Sequence, residues 1–245
     1  MSNKKKKNSN YQTEKRAAAT AAKQRKKISK EAVIGIICAA VILIALTLSI
    51  TFCAINGNKS KYVKMTVEGH GDIILELDPK TAPVTVDNFL TLANKGFYNG
   101  LTFHRIIENF MIQGGDPKAD GTGGNTDANG KEINITGEFA NNKHPNGISH
   151  KRGVISMARS GSQYNDELYY DTASSQFFIC NADSPHLDGN YAAFGWVIAG
   201  LDVVDSITAE GIKHAVDGVI KDKTKQPVIT SITEISKKEA MSYLK

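Results

Sequence analysis

Two hydrophobic patterns divide the chain. Ala32 to Ile55, AVIGIICAAVILIALTLSITFCAI, runs for 24 residues without a charge. From Lys61 onward the apolar positions come instead in short alternating runs. In YVKMTVEGHGDIILELD, apolar and polar residues alternate on both sides of Gly69 to Gly71, the pattern of two strands joined as a hairpin. TAPVTVDNFLTLANKGF places Val86, Phe89, Leu90 and Ala93 at i, i+3, i+4 and i+7, with Pro83 suited to a first helical turn and Gly96 to a stop. This predicts one amphipathic helix. A second short helix is expected around Leu201 to Ile207, and PVITSITEIS at 227–236 alternates like a last strand. No repeat of 20 to 50 residues is visible. Many short strands with two helices point to a mainly β domain, an antiparallel barrel that closes on itself.

The uncharged stretch is long enough to span a bilayer. As a helix it would rise roughly 36 Å, against a hydrocarbon core of about 30 Å. A buried core helix and a cleavable signal peptide are the competing readings. The apolar region of a signal peptide usually runs about 7 to 15 residues and ends in a small-x-small site, and neither condition is well met. Phe52, bulky, stands before Cys53 where a lipoprotein signal would have a small residue. Residues 1–31 hold eleven Lys or Arg against two Glu, so this segment is about +9 and the rest of the chain, given +5 overall, about −4. By the positive-inside rule the basic side stays in the cytoplasm and everything after Ile55 lies outside. The expected organisation is a basic cytoplasmic tail (1–31), a single-pass transmembrane signal anchor (32–55), a linker (56–61), a folded domain (62–236) and a C-terminal tail (237–245).

The basic character belongs to the tail, read as a solvated topology signal able to touch anionic lipid, and the folded part carries no evident nucleic-acid footprint. Cys38 and Cys53 sit in the apolar stretch and Cys180 follows an apolar run, so no disulfide framework is indicated. GTGGNTDANG has no Lys-Ser/Thr at phosphate-loop spacing and its acids do not fit an EF-hand register. His144, His150 and His186 are too scattered to suggest zinc. Asn134 in NIT would accept glycan only in a eukaryotic secretory pathway.

One stretch remains to be explained: FHRIIENFMIQGGDP, residues 103–117. In a regular strand Phe103, Arg105 and Ile107 share a face, so the guanidinium emerges among apolar neighbours, where burial is costly without a partner. A structural ion pair and a functional donor both account for it.

Together with GTGG at 121–124, ISMARS at 155–160 and SSQFFICNADSPHLDGNYAAFG at 174–195, this stretch closely resembles the cyclophilin family of peptidyl-prolyl cis/trans isomerases. The resemblance spans roughly residues 62 to 236. It implies a closed eight-stranded antiparallel β-barrel capped by two α-helices, here preceded by one N-terminal transmembrane helix. It implies isomerisation of X–Pro bonds without metal or cofactor, with proline-containing peptides and unfolded chains as partners, membrane attachment through the N-terminal helix, and a monomer. By the same resemblance Arg105 is the catalytic arginine, with Phe110 and Gln113 beside it. Phe110, Met111, Phe178 and Leu187 line the proline slot, Gln113 hydrogen-bonds the substrate backbone, and Gln176 supports the arginine region. Ala158 and Arg159 match the segment whose main chain pairs with the peptide. His104 is structural.

The chain departs from the best-known eukaryotic members at several places. His186 stands where those have a tryptophan whose indole the family uses for cyclosporin, and Tyr191 where they have a histidine. Arg159 replaces a smaller polar residue. GSQYNDELYYDTA, residues 161–173, is several residues longer than the short family loop; it either shapes peptide choice or is a solvated insert. Two functions stay open on the sequence. One is an anchored foldase for secreted or surface proteins, and the other a proline-peptide binding or scaffold module that depends little on turnover.

Overall fold

The computed structural model describes residues 12–17, 34–44 and 59–244. The chain divides into two units, Met1–Ala54 and Ile55–Lys245. In the first, residues 12–17 and 34–44 are helical. Among the described residues no helix is long and apolar enough to cross a membrane. The rest of the expected anchor and most of the basic tail lie outside the described residues.

The second unit is built on eight strands: β1 (Lys61–Val67), β2 (Gly71–Leu77), β3 (Phe103–Ile107), β4 (Met111–Gly114), β5 (Val154–Met157), β6 (Phe177–Cys180), β7 (Ala193–Ala199) and β8 (Ile229–Ile235). They form one antiparallel sheet in the order β3-β4-β6-β5-β7-β2-β1-β8. The expected hairpin is β1–β2, in register from Lys61 opposite Leu77 to Val67 opposite Gly71. The expected closed barrel is a curled sheet instead, open along one seam. Its end strands β3 and β8 meet in the isolated bridge Thr102–Val228, with main-chain bonds from Phe103 N to Pro227 O (2.9 Å) and Ile229 N to Leu101 O (2.8 Å). Pro227 has no N–H to donate, so the ladder cannot run on through it.

Helix α1 (Pro83–Asn94) starts at Pro83 as expected and buries Val86, Phe89, Leu90 and Ala93, together with Thr85 and Leu92. Its local sequence supplies no side-chain cap. Glu138, far along the chain and itself buried, accepts from Val84 N (3.1 Å), Thr85 N (2.8 Å) and Thr85 Oγ1 (2.8 Å). A carboxylate at a helix N-terminus satisfies orphan N–H groups and suits the helix dipole. Helix α2 (Leu201–Gly211) begins where expected and runs one turn further. Residues 237–242, beyond the last expected strand, form a third helix, α3 (Lys237–Ser242). Ser236 caps it by accepting from Glu239 N, and Ala240 packs with Tyr62 and Ile74.

The sheet's concave side is filled by Phe89, Tyr98, Phe103, Phe177 and Phe194 among aliphatic residues from most strands. Phe89, Tyr98 and Phe177 meet edge-on or tilted at 5.2–5.6 Å, the arrangement aromatic quadrupoles favour. A smaller apolar cluster of Met111, Phe178, Cys180 and Leu187 lies on the other face of β4 and β6. Every residue of the short strands β5 and β6 is buried, so both strands are covered on both faces.

Candidate active site

A β-bulge places the arginine. The β3–β4 register shifts between Phe103 and Arg105, so these residues do not share a face as a regular strand would require. Phe103 and Ile106 enter the main core, while Arg105 and Ile107 face the second cluster. His104 occupies the bulge. It is buried, both of its ring nitrogens lack a hydrogen-bond partner, and burial holds its pKa below the ordinary histidine value against the pull of Asp116.

Beyond the bulge, Arg105 stands opposite Gln113, Gln113 opposite Phe178, and Phe178 opposite Ser156 across β3, β4, β6 and β5. Around them Arg105, Phe110, Met111, Gln113, Ala158, Arg159, Phe178, Leu187 and Tyr191 line a pocket of about 100 Å³. Nine of the eleven residues expected at the site thus meet. His186 sits at the rim, exposed, its ring 5.3 Å from Phe110. Gln176 lies behind Gln113 and lines a neighbouring polar pocket of about 190 Å³.

The guanidinium is aimed by a relay of amides. Arg105 Nη1 donates to Gln113 Oε1 (3.2 Å), Gln113 Nε2 to Gln176 Oε1 (2.9 Å), and Gln176 Nε2 to the carbonyls of Gly123 (2.7 Å) and Gly121 (3.1 Å). Arg105 also lies 5.9 Å from the Phe110 ring centroid. Among the described residues no carboxylate pairs with Arg105, which removes the structural ion pair as the reason for it. Burial pulls its pKa below the usual guanidinium value, with Tyr191 acting against this; it remains a cation at any physiological pH. A half-buried guanidinium with most donors uncommitted to carboxylates can give a hydrogen bond to a guest in the pocket.

GTGG is more than a turn. The buried Asp116 carboxylate accepts from the N–H groups of Lys118, Asp120 and Gly121 and so shapes the loop that presents both carbonyls to Gln176. These bonds outweigh burial and hold its pKa below the ordinary carboxylate range. A Cβ at Gly123 would come within 2.0 Å of Oδ1 of the buried, hydrogen-bonded Asp116, so that position does not admit a side chain without disturbing the loop.

Phe178 is braced from behind by residues the sequence did not single out. The buried His150 ring stacks on it at 6.0 Å and 19°. Nδ1 of that ring bonds Asp188 Oδ1 (2.9 Å) and Nε2 bonds Ser156 Oγ (3.1 Å). Burial pulls the His150 pKa down against Asp188. Its scattered position among the histidines hides it; it is brought there by its bonds to Asp188 and to Ser156, which β5 sets opposite Phe178 of β6. Under the slot, burial pushes the Cys180 thiol up to about 12, so it stays protonated and inert.

Arg159 does not offer its charge to the pocket. Its side chain is 3% exposed and paired with Asp166 of the insert, Nη1 to Oδ1 at 2.9 Å and Nη2 to Oδ2 at 2.6 Å. Its guanidinium is ringed by Tyr191 (4.8 Å), Tyr170 (5.2 Å) and Phe139 (5.4 Å). Ala158 and Arg159, just past the end of β5, line the pocket while the Arg159 charge is spent on Asp166.

A family model described as cyclophilin type peptidyl-prolyl cis-trans isomerase/CLD matches residues 62–234. A peptidyl-prolyl cis-trans isomerase of Helicobacter pylori is 48% identical over 148 residues, 60% of this chain and 80% of the relative. Isomerase A of Dickeya dadantii is 36% identical over 204 residues, 81% of this chain and 97% of the relative. The crystal structure of a cyclophilin-type isomerase from Cryptosporidium parvum superposes with a TM-score of 0.60 at 29% identity, covering 73% of this chain and 99% of that one. A structure of that protein in the presence of the dipeptide Ala-Pro gives a TM-score of 0.58 at 29% identity, covering 71% and 99%.

Proposed function

This chain belongs to the cyclophilin-type peptidyl-prolyl cis-trans isomerase family and has that activity, and from this premise we propose that Arg105 is its catalytic residue, acting on proline seated in the pocket of Phe110, Met111, Phe178 and Leu187. The observation that carries the assignment is a half-buried guanidinium facing an apolar pocket, oriented by Gln113 and without a carboxylate partner among the described residues.

An X–Pro bond rotates over a barrier of about 18–20 kcal/mol because the nitrogen lone pair is delocalised into the carbonyl. In the twisted amide that lone pair returns to nitrogen, which becomes pyramidal and basic. A fixed donor from Arg105 is then worth more in the transition state than in either ground state. One charge-assisted hydrogen bond contributes on the order of 1.5–3 kcal/mol, about 10- to 100-fold in rate. The apolar slot supplies the remainder by holding the ring and excluding water while the preceding half of the peptide turns. Gln113 bonds the substrate backbone, and the main chain at Ala158 and Arg159, just past the end of β5, pairs with the extended peptide. No proton is transferred and no nucleophile is involved.

We further propose that 32–55 is an uncleaved anchor and that the isomerase domain works outside the membrane on secreted or surface chains. Its support is the 24 uncharged residues preceded by a segment of about +9. Protease added to intact cells is expected to remove the domain and leave a tag on the N-terminal tail intact; a digested tag beside a protected domain contradicts the orientation.

A further inference from the structure

The insert is tied to the proline pocket by one chain of contacts. Asp166 holds both terminal nitrogens of Arg159. Arg159 Nε donates to Asn190 O (2.9 Å) and its guanidinium lies 4.8 Å from the ring of the next residue, Tyr191. Tyr191 meets Phe178 edge-on at 5.7 Å and 83°, forming the wall of the slot opposite His150. A buried guanidinium requires a partner, since an unpaired cation there bears its full desolvation cost. Among the described residues Asp166 is the carboxylate that supplies it.

The carboxylate is in turn fixed by the loop. It accepts from Ser162 N (3.3 Å), Thr172 Oγ1 accepts from Ser160 N (3.1 Å) and donates to Tyr169 O (2.7 Å), and Asp171 accepts from Gly137 N and Asn142 Nδ2. Segment 161–173 is therefore bonded at both ends, unlike a loosely solvated loop, while Tyr164 and Leu168 stay exposed on its outer side.

We propose that Asp166 is a positioning residue for the isomerase reaction: by holding Arg159 beneath Tyr191 it sets the wall of the proline slot against Phe178, so that the insert tunes how tightly the X–Pro segment is gripped. This rests on the pocket's assignment as the proline site. Among the described residues no side-chain hydrogen bond or ion pair joins the Arg105–Gln113–Gln176 relay to the Asp166–Arg159 pair, so loss of Asp166 weakens binding more than the chemical step.

The test measures kcat and KM separately for full-length protein in detergent micelles on an X–Pro peptide. The variants are Asp166→Asn and Asp166→Ala, read together so that misfolding of one leaves the other, with Asp166→Glu as the conservative control. Both neutral variants are expected to raise KM about fivefold with kcat within about twofold of the parent, and Asp166→Glu to recover most of the loss. In a Tyr191→Ala background the same changes should add less than about twofold, because their effect passes through that ring. An unchanged KM in a folded neutral variant, or an undiminished effect without Tyr191, overturns the proposal. A parent protein that does not turn over the peptide would instead overturn the proline-site assignment, so the two failures are distinguishable.

Discussion

The imidazole of His150 stacks on the ring of Phe178, with centroids 6.0 Å apart and planes 19° from parallel. One side of the pocket proposed to hold proline thus depends on a buried base whose nitrogens are bonded to Asp188 and Ser156. Burial depresses the pKa values of His150 and His104 below the ordinary value near 6.5. The unfolded chain therefore binds more protons than the folded one just below pH 6.5. The stability these residues contribute is complete above that pH and is lost as pH falls through the folded pKa values.

Thermal unfolding followed from pH 7.5 to 5.5 should show Tm falling with pH, each histidine contributing at most about 1.4 kcal/mol per pH unit. His150→Gln should flatten roughly half of the dependence, the rest belonging to His104. A Tm independent of pH in the parent protein contradicts this account.

Helix α1 should be sensitive to a residue far from it in sequence. Glu138→Ala leaves the buried Thr85 N and Oγ1, and the part-buried Val84 N, without their acceptor and should cost about 2–4 kcal/mol. Glu138→Gln should cost less, since one amide oxygen still accepts. Urea midpoints at constant m-value measure the difference. Equal stability of the alanine variant and the parent would show that the cap is dispensable.

His186 lies at the rim beside Phe110, where the imidazole presents less apolar area than an indole and no fixed indole N–H. Cyclosporin should bind weakly. His186→Trp should tighten it about tenfold, equivalent to about 1.4 kcal/mol, with much less change in peptide turnover. Parent binding as tight as that of the tryptophan variant would contradict the placement of His186.

Much of this was legible in the pattern of residues. Alternation located the β1–β2 hairpin and β8, and 3.6-residue spacing with Pro83 located α1, because each of these elements buries one face. Strands β5 and β6 carry no such signal: Val154–Met157 and Phe177–Cys180 are buried on both faces and read as plain apolar runs. The bulge at His104 was invisible because a period of two assumes an unbroken strand. It reverses the facing of Phe103 relative to Arg105. Of the eleven residues the motifs single out, nine line one pocket. What they could not give were couplings across distant segments: Glu138 on α1, His150 behind Phe178, and Asp166 on Arg159, each a contact between residues that local periodicity does not relate. Arg159 is expected from the motif only as part of the segment that meets the peptide, and the burial of its side chain follows from the insert, whose fold no local pattern specifies.

The central claim is that Arg105 stabilises the twisted amide. It is tested by kcat/KM for an X–Pro peptide in Arg105→Ala and Arg105→Lys, with near-ultraviolet circular dichroism confirming the fold. Arg105 is half-buried and lies outside the main core, so both variants should fold. The alanine variant should lose at least about tenfold, and lysine should restore little, because a point ammonium cannot both bond Gln113 and reach the proline nitrogen as a planar fork does. Turnover unchanged in a folded Arg105→Ala protein would contradict the mechanism and leave a pocket that binds proline without acting through this residue.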